Sequence, residues 1–443
     1  MPPTQSEELP LPLTAEGAAG CDDALLPLSP LDAMMHKLGV MLLYMFPSST
    51  SGYDLNKMQT SFITLVNEDY FILIGELHID RQTGVVSVKQ TAEARQKGAH
   101  GIRFETNLSS SLTTEEAMKT LSWELMPTPR ASTELICIKG TLLSDGGLVI
   151  GLDTSHTLLD GEGTFTFMKA WGQHYSDVPK QERLVSNYDR FLLKGTGEPS
   201  KLAHPEFQVV NVHPTVAGNV EAPVPPCTAQ HRFHFTPCMM QRIKHVATRG
   251  ESKSTSDPTY RVKDVKVTTA VNARSRLNPP MPENYAGNVI FSALSSYQAQ
   301  ELKASDDVVS QDTLVNLAQR VRGSIRHSDS EYLRDAINFL TERSNLSKVQ
   351  PATNFVFGPD IMYTSWVRTG MYEAEFEGMR PSLVSLPPLP FDGFVILSEP
   401  FRNSPGVDVL VFLESSAMEK LKESFARVPF LFQESDEPLR FTL

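Results

Sequence analysis

Chemistry is concentrated in one stretch of this chain, Leu148-Val-Ile-Gly-Leu-Asp-Thr-Ser-His-Thr-Leu-Leu-Asp-Gly-Glu-Gly163. It starts as a continuous apolar run of the length of one buried strand. It then breaks at His156, Asp160, Gly161 and Gly163. Imidazole can take and return a proton near neutral pH without a large shift of its pKa. A histidine at the end of a buried strand, ahead of a bend that glycine permits, is therefore a candidate general base. The same residues admit two other readings. One is a core histidine hydrogen-bonded to a neighbouring carboxylate. The other is a metal pair, since residues four apart share a helix face. No third ligand stands nearby at metal spacing, so no metal site is expected.

The flanking pattern says how such a histidine would be held. Leu135–Leu143 and Leu148–Leu152 are apolar runs on either side of Ser144-Asp-Gly-Gly147, a strong hairpin signal. The second strand delivers His156, and a strand fixes a base better than a free loop. Beyond Gly163, the spacing of Met168, Trp171 and Tyr175 predicts a helix with its apolar face in the core. Upstream, Leu38 to Phe46 reads as a buried strand, and Met58, Phe62, Leu65 and Val66 as one helix face. Phe71–Gly75 and Gly84–Val88 read as paired strands, and Thr113 with Glu116 as a capping box. Downstream, residues 177–226 carry crowded prolines and little periodicity, as in a long crossover, with His204 structural. Val265–Val271, Asn354–Gly358 and Val407–Leu413 read as strands. Leu314 to Ile325, Leu333 to Leu340 and the residues after Ser416 read as helices.

Composition removes several classes of function. A length of 443 residues favours two domains. A net charge of −12 argues against nucleic acid and against anionic membrane as partners. The four cysteines, Cys21, Cys137, Cys227 and Cys238, are scattered and form no CxxC, which fits a reducing compartment. The N-terminus has no basic region followed by an apolar core, and no apolar run is long enough to span a bilayer. A cytoplasmic protein is expected. Against the acidic total, Arg242 to Arg276 holds nine basic side chains and three acidic ones. That stretch is either a solvated face or a patch for a small polyanion such as the phosphates of CoA.

The central stretch resembles the HxxxDG motif of the BAHD family of CoA-dependent acyltransferases, whose fungal members include the trichothecene 3-O-acetyltransferases. A second anchor is more specific. Asn272 to Asn288 is similar to the family's R-x-R … P-P-x-P … Y-x-G-N segment through Arg274, Arg276, Pro279, Pro280, Pro282, Tyr285, Gly287 and Asn288. Leu28-Ser-Pro-Leu-Asp32 is similar to the family's start, and Ser365-Trp366 with Glu375 to Pro381 to its late Ser-Trp and DFGWGKP segments. There the family's tryptophan is replaced by Gly378. One departure is larger. After Ser254-Thr-Ser-Asp257 the family has an apolar helix, whereas this chain turns at once into Pro258, which disfavours helix continuation. Losing that helix opens an apolar gap that must be refilled.

The resemblance implies an α/β fold of two chloramphenicol-acetyltransferase-like domains, each a mixed β-sheet with flanking helices, meeting at an active-site tunnel. The implied organisation is a flexible N-terminus over 1–24, a first domain over 25–185 carrying the motif, a crossover over 186–228 and a second domain over 229–443. His156 would be the base and Asp160 the second motif residue, turned away from the tunnel and paired with Arg274 or, second, Arg276. Gly161 would serve the bend. Ser254, Thr255, Arg274 and Asn288 would face CoA, with Asn354, Thr364 and Ser365 as oxyanion donors. The implied activity is acyl transfer, acetyl first, from acyl-CoA as co-substrate to a hydroxyl of a small secondary metabolite such as a terpenoid. No permanently bound cofactor is implied. No serine or cysteine nucleophile signature is present, so no covalent intermediate is expected. The expected state is a monomer. Two other readings stay open: a non-catalytic binding protein on the same scaffold, and amide-forming condensation chemistry.

Overall fold

The structure is a computed structural model, and it describes residues 23–210, 226–249, 264–298, 311–343, 345–400 and 404–427. Two mixed sheets dominate it. The first has five strands in the order Leu383–Ser385, Gly39–Phe46, Leu148–Ser155, Ile136–Leu142, Phe104–Asn107. The second has six, in the order Ile290–Gln298, Asp264–Asn272, Ile361–Ser365, Phe394–Ser398, Val407–Glu414, Thr228–Phe235. In the first only the Phe104–Asn107 strand pairs in parallel. In the second the parallel pairs are central, Ile361–Ser365 against both of its neighbours. Among the described residues no helix is long and apolar enough to cross a membrane.

The first sheet is buried on both faces, which explains its nearly unbroken apolar strands. Leu42, Tyr44 and Phe46 point into one cluster, while Leu43 and Met45 point into another with Ala117 and Leu121. Two helices cover the first cluster. Leu55–Asp69 is capped by Asp54, whose carboxylate accepts from Asn56 N at 2.8 Å and Lys57 N at 3.1 Å. Gly161–Tyr175 packs against it, with Trp171 edge-on to Phe62 at 5.6 Å and to Phe376 at 5.1 Å. Burial of each such side chain contributes about 1.5–3 kcal/mol. The Trp171 indole N–H donates to Ser61 Oγ at 3.1 Å, so the ring enters the core with its polar atom satisfied.

The hairpin forms as its Asp-Gly turn predicts. Ile136–Leu142 pairs with Leu148–Ser155 from Leu142↔Leu148 to Ile136↔Thr154. Asp145 accepts from Gly147 N and from both polar groups of Thr114. Two expected strands are absent. Phe71–Leu73 is a single 3-10 turn, and the strand opposite Val86–Gln90 is Glu76–Ile79, beginning just past Gly75. Asn354–Gly358 is a turn rather than a strand: Phe357 adopts a left-handed φ of 54°, and Asn354 N donates to Asp360 at 2.8 Å. An apolar run of four or five residues does not by itself separate strand from turn.

The strand Leu383–Ser385 comes from the second half of the chain yet completes the first sheet beside Gly39–Phe46. The main core accordingly runs between the halves, with Tyr372, Phe376, Ile396 and Phe412 in the same cluster as Tyr44 and Phe46. The described part of the crossover, up to residue 210, is docked. Arg190–Leu193 forms a helical turn, and Phe207–Val209 pairs with Val349–Pro351.

Candidate active site

His156 sits immediately past the end of the Leu148–Ser155 strand, where its backbone N–H donates to Leu38 O at 2.9 Å. Its ring is half-buried. Nδ1 lies 2.9 Å from Asn288 Oδ1. Nε2 takes no hydrogen-bond partner among the described residues. Four residues on, Asp160 ends the bend and caps the Gly161–Tyr175 helix, with Oδ1 accepting from Gly163 N at 2.9 Å. The carboxylate favours the positive end of the helix dipole there. Both glycines lie in the first turn of the helix rather than in the bend, and close approach to backbone restricts Gly163 more than Gly161. A Cβ on Gly163 would stand 2.8 Å from Ala286 O, and one on Gly161 would stand 3.1 Å from Trp366 Nε1.

Asp160 is fully buried. Arg274 grips it with two parallel hydrogen bonds, Nη1 to Oδ2 at 2.8 Å and Nη2 to Oδ1 at 2.9 Å. This bidentate geometry is the strong form of the pair. The guanidinium also donates to Tyr285 O at 3.0 Å and Gly287 O at 2.9 Å. Burial works against the charge of Arg274, but Asp160 more than offsets it, and the group is held above its ordinary pKa. Val289 N supplies Asp160 Oδ2 with a further donor at 3.1 Å. The carboxylate thus turns away from the imidazole and holds the bend against the 285–289 segment. Arg276, the second arginine considered for this role, points elsewhere and donates to Ile325 O at 3.0 Å and Ser328 O at 3.3 Å.

Asn288 needs the largest correction. It was expected to face CoA, but it is completely buried and its amide is engaged within the protein. Nδ2 faces Asp32 Oδ1 at 2.9 Å, His156 O at 2.7 Å and Thr157 O at 3.0 Å. No amide hydrogen is left for a ligand. Asp32, from the short helix Pro30–Met34, is fully buried as well. Its Oδ1 accepts from Asn288 N at 2.9 Å, and its Oδ2 from Ser29 Oγ at 2.7 Å and from Arg190 Nη1. Burial opposes the charge of Arg190, and Asp32 more than offsets that too, so its pKa is raised. Neither Asp32 nor Arg190 stands out in the sequence as a site residue. The available signal is an acidic residue inside the apolar run Leu-Ser-Pro-Leu-Asp-Ala-Met-Met, three residues after a serine.

Other expected site residues are not brought together. Asn354 lies in the turn before the strand Ile361–Ser365, whereas Thr364 and Ser365 lie at its far end. Ser254 and Thr255, and the departure that follows Asp257, fall outside the described residues. His204 lies between two carboxylates, Glu206 and Asp335, each at 2.9 Å. Burial lowers its pKa, but the carboxylates more than offset this and the net shift is upward. Among the described residues one group has a metal-like donor set, Glu68, Asp69 and His174. A cation already bridges it: Arg183 donates to Glu68 at 3.3 Å and to the His174 ring at 3.2 Å.

Two clefts open near this framework. One, of about 500 Å³, lies along the exposed side of the motif helix and is lined by Glu162, Phe165, Lys169, Arg274, Pro282 and Arg368 among others. The other, of about 340 Å³, is lined by Ser292, Leu294, His327 and Tyr332 among others. His156 lines neither.

Two mixed sheets thus carry a histidine on a bend that Asp160 and Arg274 lock to the second half of the chain. The Transferase family matches residues 18–265 and 253–428, and the chain belongs to that family, the BAHD acyltransferases. It is a CoA-dependent acyltransferase that takes acyl-CoA as co-substrate. The two matched pieces overlap at 253–265. A hydroxycinnamoyltransferase of Narcissus pseudonarcissus is 25% identical over 308 residues, covering 65% of this chain and 69% of that protein. Agmatine coumaroyltransferase-1 of Hordeum vulgare is 24% identical over 436 residues, covering 91% and 94%. The fold is also that of the crystal structure of F. graminearum TRI101 complexed with coenzyme A and deoxynivalenol. That superposition has a TM-score of 0.66 at 15% identity over 90% of this chain and 97% of that one.

Proposed function

We propose that this acyltransferase moves an acyl group, acetyl in the first instance, from acyl-CoA to the hydroxyl of a small secondary metabolite such as a terpenoid, with His156 as general base. The observation that carries the reading is the state of the ring. It is half-buried and tied through Nδ1 to Asn288 at 2.9 Å, and Nε2 has no partner among the described residues. In this mechanism Nε2 takes the proton of the acceptor hydroxyl as its oxygen attacks the thioester carbonyl. The tetrahedral intermediate then expels the CoA thiolate, and the proton on the imidazole passes to that sulfur. One group serves both steps. No serine, threonine or cysteine hydrogen-bonds the ring among the described residues; Ser155 Oγ is paired with Thr157 Oγ1 at 2.7 Å. This supports direct transfer without an acyl-enzyme. Donor and acceptor would reach Nε2 from opposite mouths of a tunnel between the two halves, with Ser254 and Thr255 contacting CoA.

The test is incubation of the purified protein with labelled acetyl-CoA and candidate alcohols or a host extract. Labelled ester is expected from wild type, with a loss of about 10²–10⁴-fold in turnover for His156→Ala and an unchanged melting temperature. Full turnover in that variant would remove the base assignment. A second reading differs only in acceptor and donor. The barley relative is named as an agmatine coumaroyltransferase, which favours an amine acceptor and a hydroxycinnamoyl donor. Parallel assays with coumaroyl-CoA and agmatine distinguish the two.

A further inference from the structure

We propose that Asn288, itself held by Asp32, is the positioning residue that decides which nitrogen of His156 carries the proton; the proposal rests on His156 being the base. A neutral imidazole has one N–H and one lone pair, and its partners choose between the two forms. Here the choice follows from the surroundings of one amide. Around Nδ2 of Asn288 stand three acceptors and no donor: Asp32 Oδ1, His156 O and Thr157 O, at 2.9, 2.7 and 3.0 Å. Turning the amide over would set an oxygen against a carboxylate and two carbonyls in a site without solvent. The amide therefore has one orientation, with Oδ1 toward the ring at 2.9 Å. An amide oxygen can only accept, so Nδ1 is the N–H and Nε2 carries the lone pair. That is the nitrogen without a partner among the described residues.

Asp32 makes this choice rigid. Its Oδ1 takes both the backbone and the side-chain N–H of Asn288, so the residue is gripped at two points. Its Oδ2 takes Arg190 and the Ser29 hydroxyl, which stops the carboxylate from rotating. The sequence of contacts runs from the crossover, through the first helix, to the segment after Gly287, and ends on the ring. Glutamine or leucine at 288 would not reproduce it, because the reach of the amide is matched to four partners at once.

The tautomer can be read without turnover. Histidine labelled with 15N, observed through long-range 1H–15N correlations, distinguishes an N–H from a lone-pair nitrogen; His156→Gln assigns the signal by its loss. The expected result is an Nδ1–H imidazole at His156 in wild type. In Asn288→Ala the ring should shift toward the Nε2–H form that free histidine favours, with kcat lower by about 10- to 100-fold and KM for acyl-CoA little changed. Asp32→Asn should give a partial shift in the same direction. An Nε2–H imidazole in wild type overturns the proposal whether or not the variants fold. Wild-type tautomer in a folded Asn288→Ala does so too. If the tautomer follows the proposal but His156→Ala retains turnover, the base assignment fails and the positioning role stands.

Discussion

Two buried carboxylates grip adjacent residues of one segment, and they do different work. Asp160 and Asp32 each stand at the start of a helix, and each is completely buried. Each pairs with an arginine far along the chain, Arg274 and Arg190 respectively. Asp32 accepts from Asn288 N and Asp160 from Val289 N, so two consecutive amides are held by two helix ends. The difference lies in what else each one touches. Among the described residues the Asp160 carboxylate meets backbone N–H groups and a guanidinium, and so anchors the bend. Asp32 also meets the Asn288 side chain, which touches the imidazole. Two ion pairs of similar burial thus place the same ring, one by fixing where it is and the other by fixing its proton.

The largest expected effect is on stability. Asp160→Ala removes one partner of a buried, bidentate pair and strands Arg274, which costs about 3–5 kcal/mol. Urea unfolding reads that loss, and turnover should fall with it. Asp32→Ala should cost a similar amount, because Arg190 is stranded in the same way. A loss under about 1 kcal/mol for Asp32→Ala would break the equivalence of the two anchors, since exposed pairs are worth no more than that.

A smaller effect sharpens the comparison by using a buried ionic group without hydrogen bonds to the motif. His204 is clasped by Glu206 and Asp335, and its pKa is raised on folding. A raised folded pKa means that the contribution is complete below the ordinary histidine value of about 6.5 and fades as pH rises through the folded value. The carboxylate of Asp335 is shifted the other way: burial opposes the shift, but amides of Lys201 and Leu202 with His204 bring it well below the usual range. Its contribution is present above the ordinary value and lost on acidification. Urea midpoints from pH 6 to 9 should fall for wild type more than for His204→Gln, while kcat in the variant stays unchanged. A change in turnover that tracks His204 would mean the crossover communicates with the ring. The smallest effect belongs to Arg276, which donates to Ile325 O and Ser328 O near the end of the helix Gln311–His327. Arg276→Ala should cost about 0.3–1 kcal/mol by the same unfolding measurement. A cost as large as that of Asp160→Ala would place Arg276 among the anchors after all.

The sequence made the scaffold of the site readable where the signals are local. The Asp-Gly turn, the buried run after it and the helical spacing of Met168, Trp171 and Tyr175 act within a few residues, and the structure has the hairpin and helix they predict. Short apolar runs were misleading. Phe71–Leu73 and Asn354–Gly358 join no ladder: local turn bonds and side chains take up their backbone groups, Gln90 at Phe71 O and Asp360 at Asn354 N among them. The strand Leu383–Ser385 has no strand signal in the sequence; it is three residues long, and its place is set by Gly39–Phe46.

By itself, then, the chain determined that an imidazole would emerge at the end of a buried strand, with a core helix following a few residues on. That follows from the unbroken apolar run and from the helical spacing of Met168, Trp171 and Tyr175, which act between near neighbours. Only the tertiary structure decided what holds the ring: Asn288, 132 residues away, and behind it Asp32 and Arg190. It also decided that Arg274 rather than Arg276 meets Asp160. Arginines two positions apart are chemically equivalent in a sequence. They become different once one guanidinium fits a buried carboxylate with two parallel hydrogen bonds and the other reaches carbonyls near a helix end.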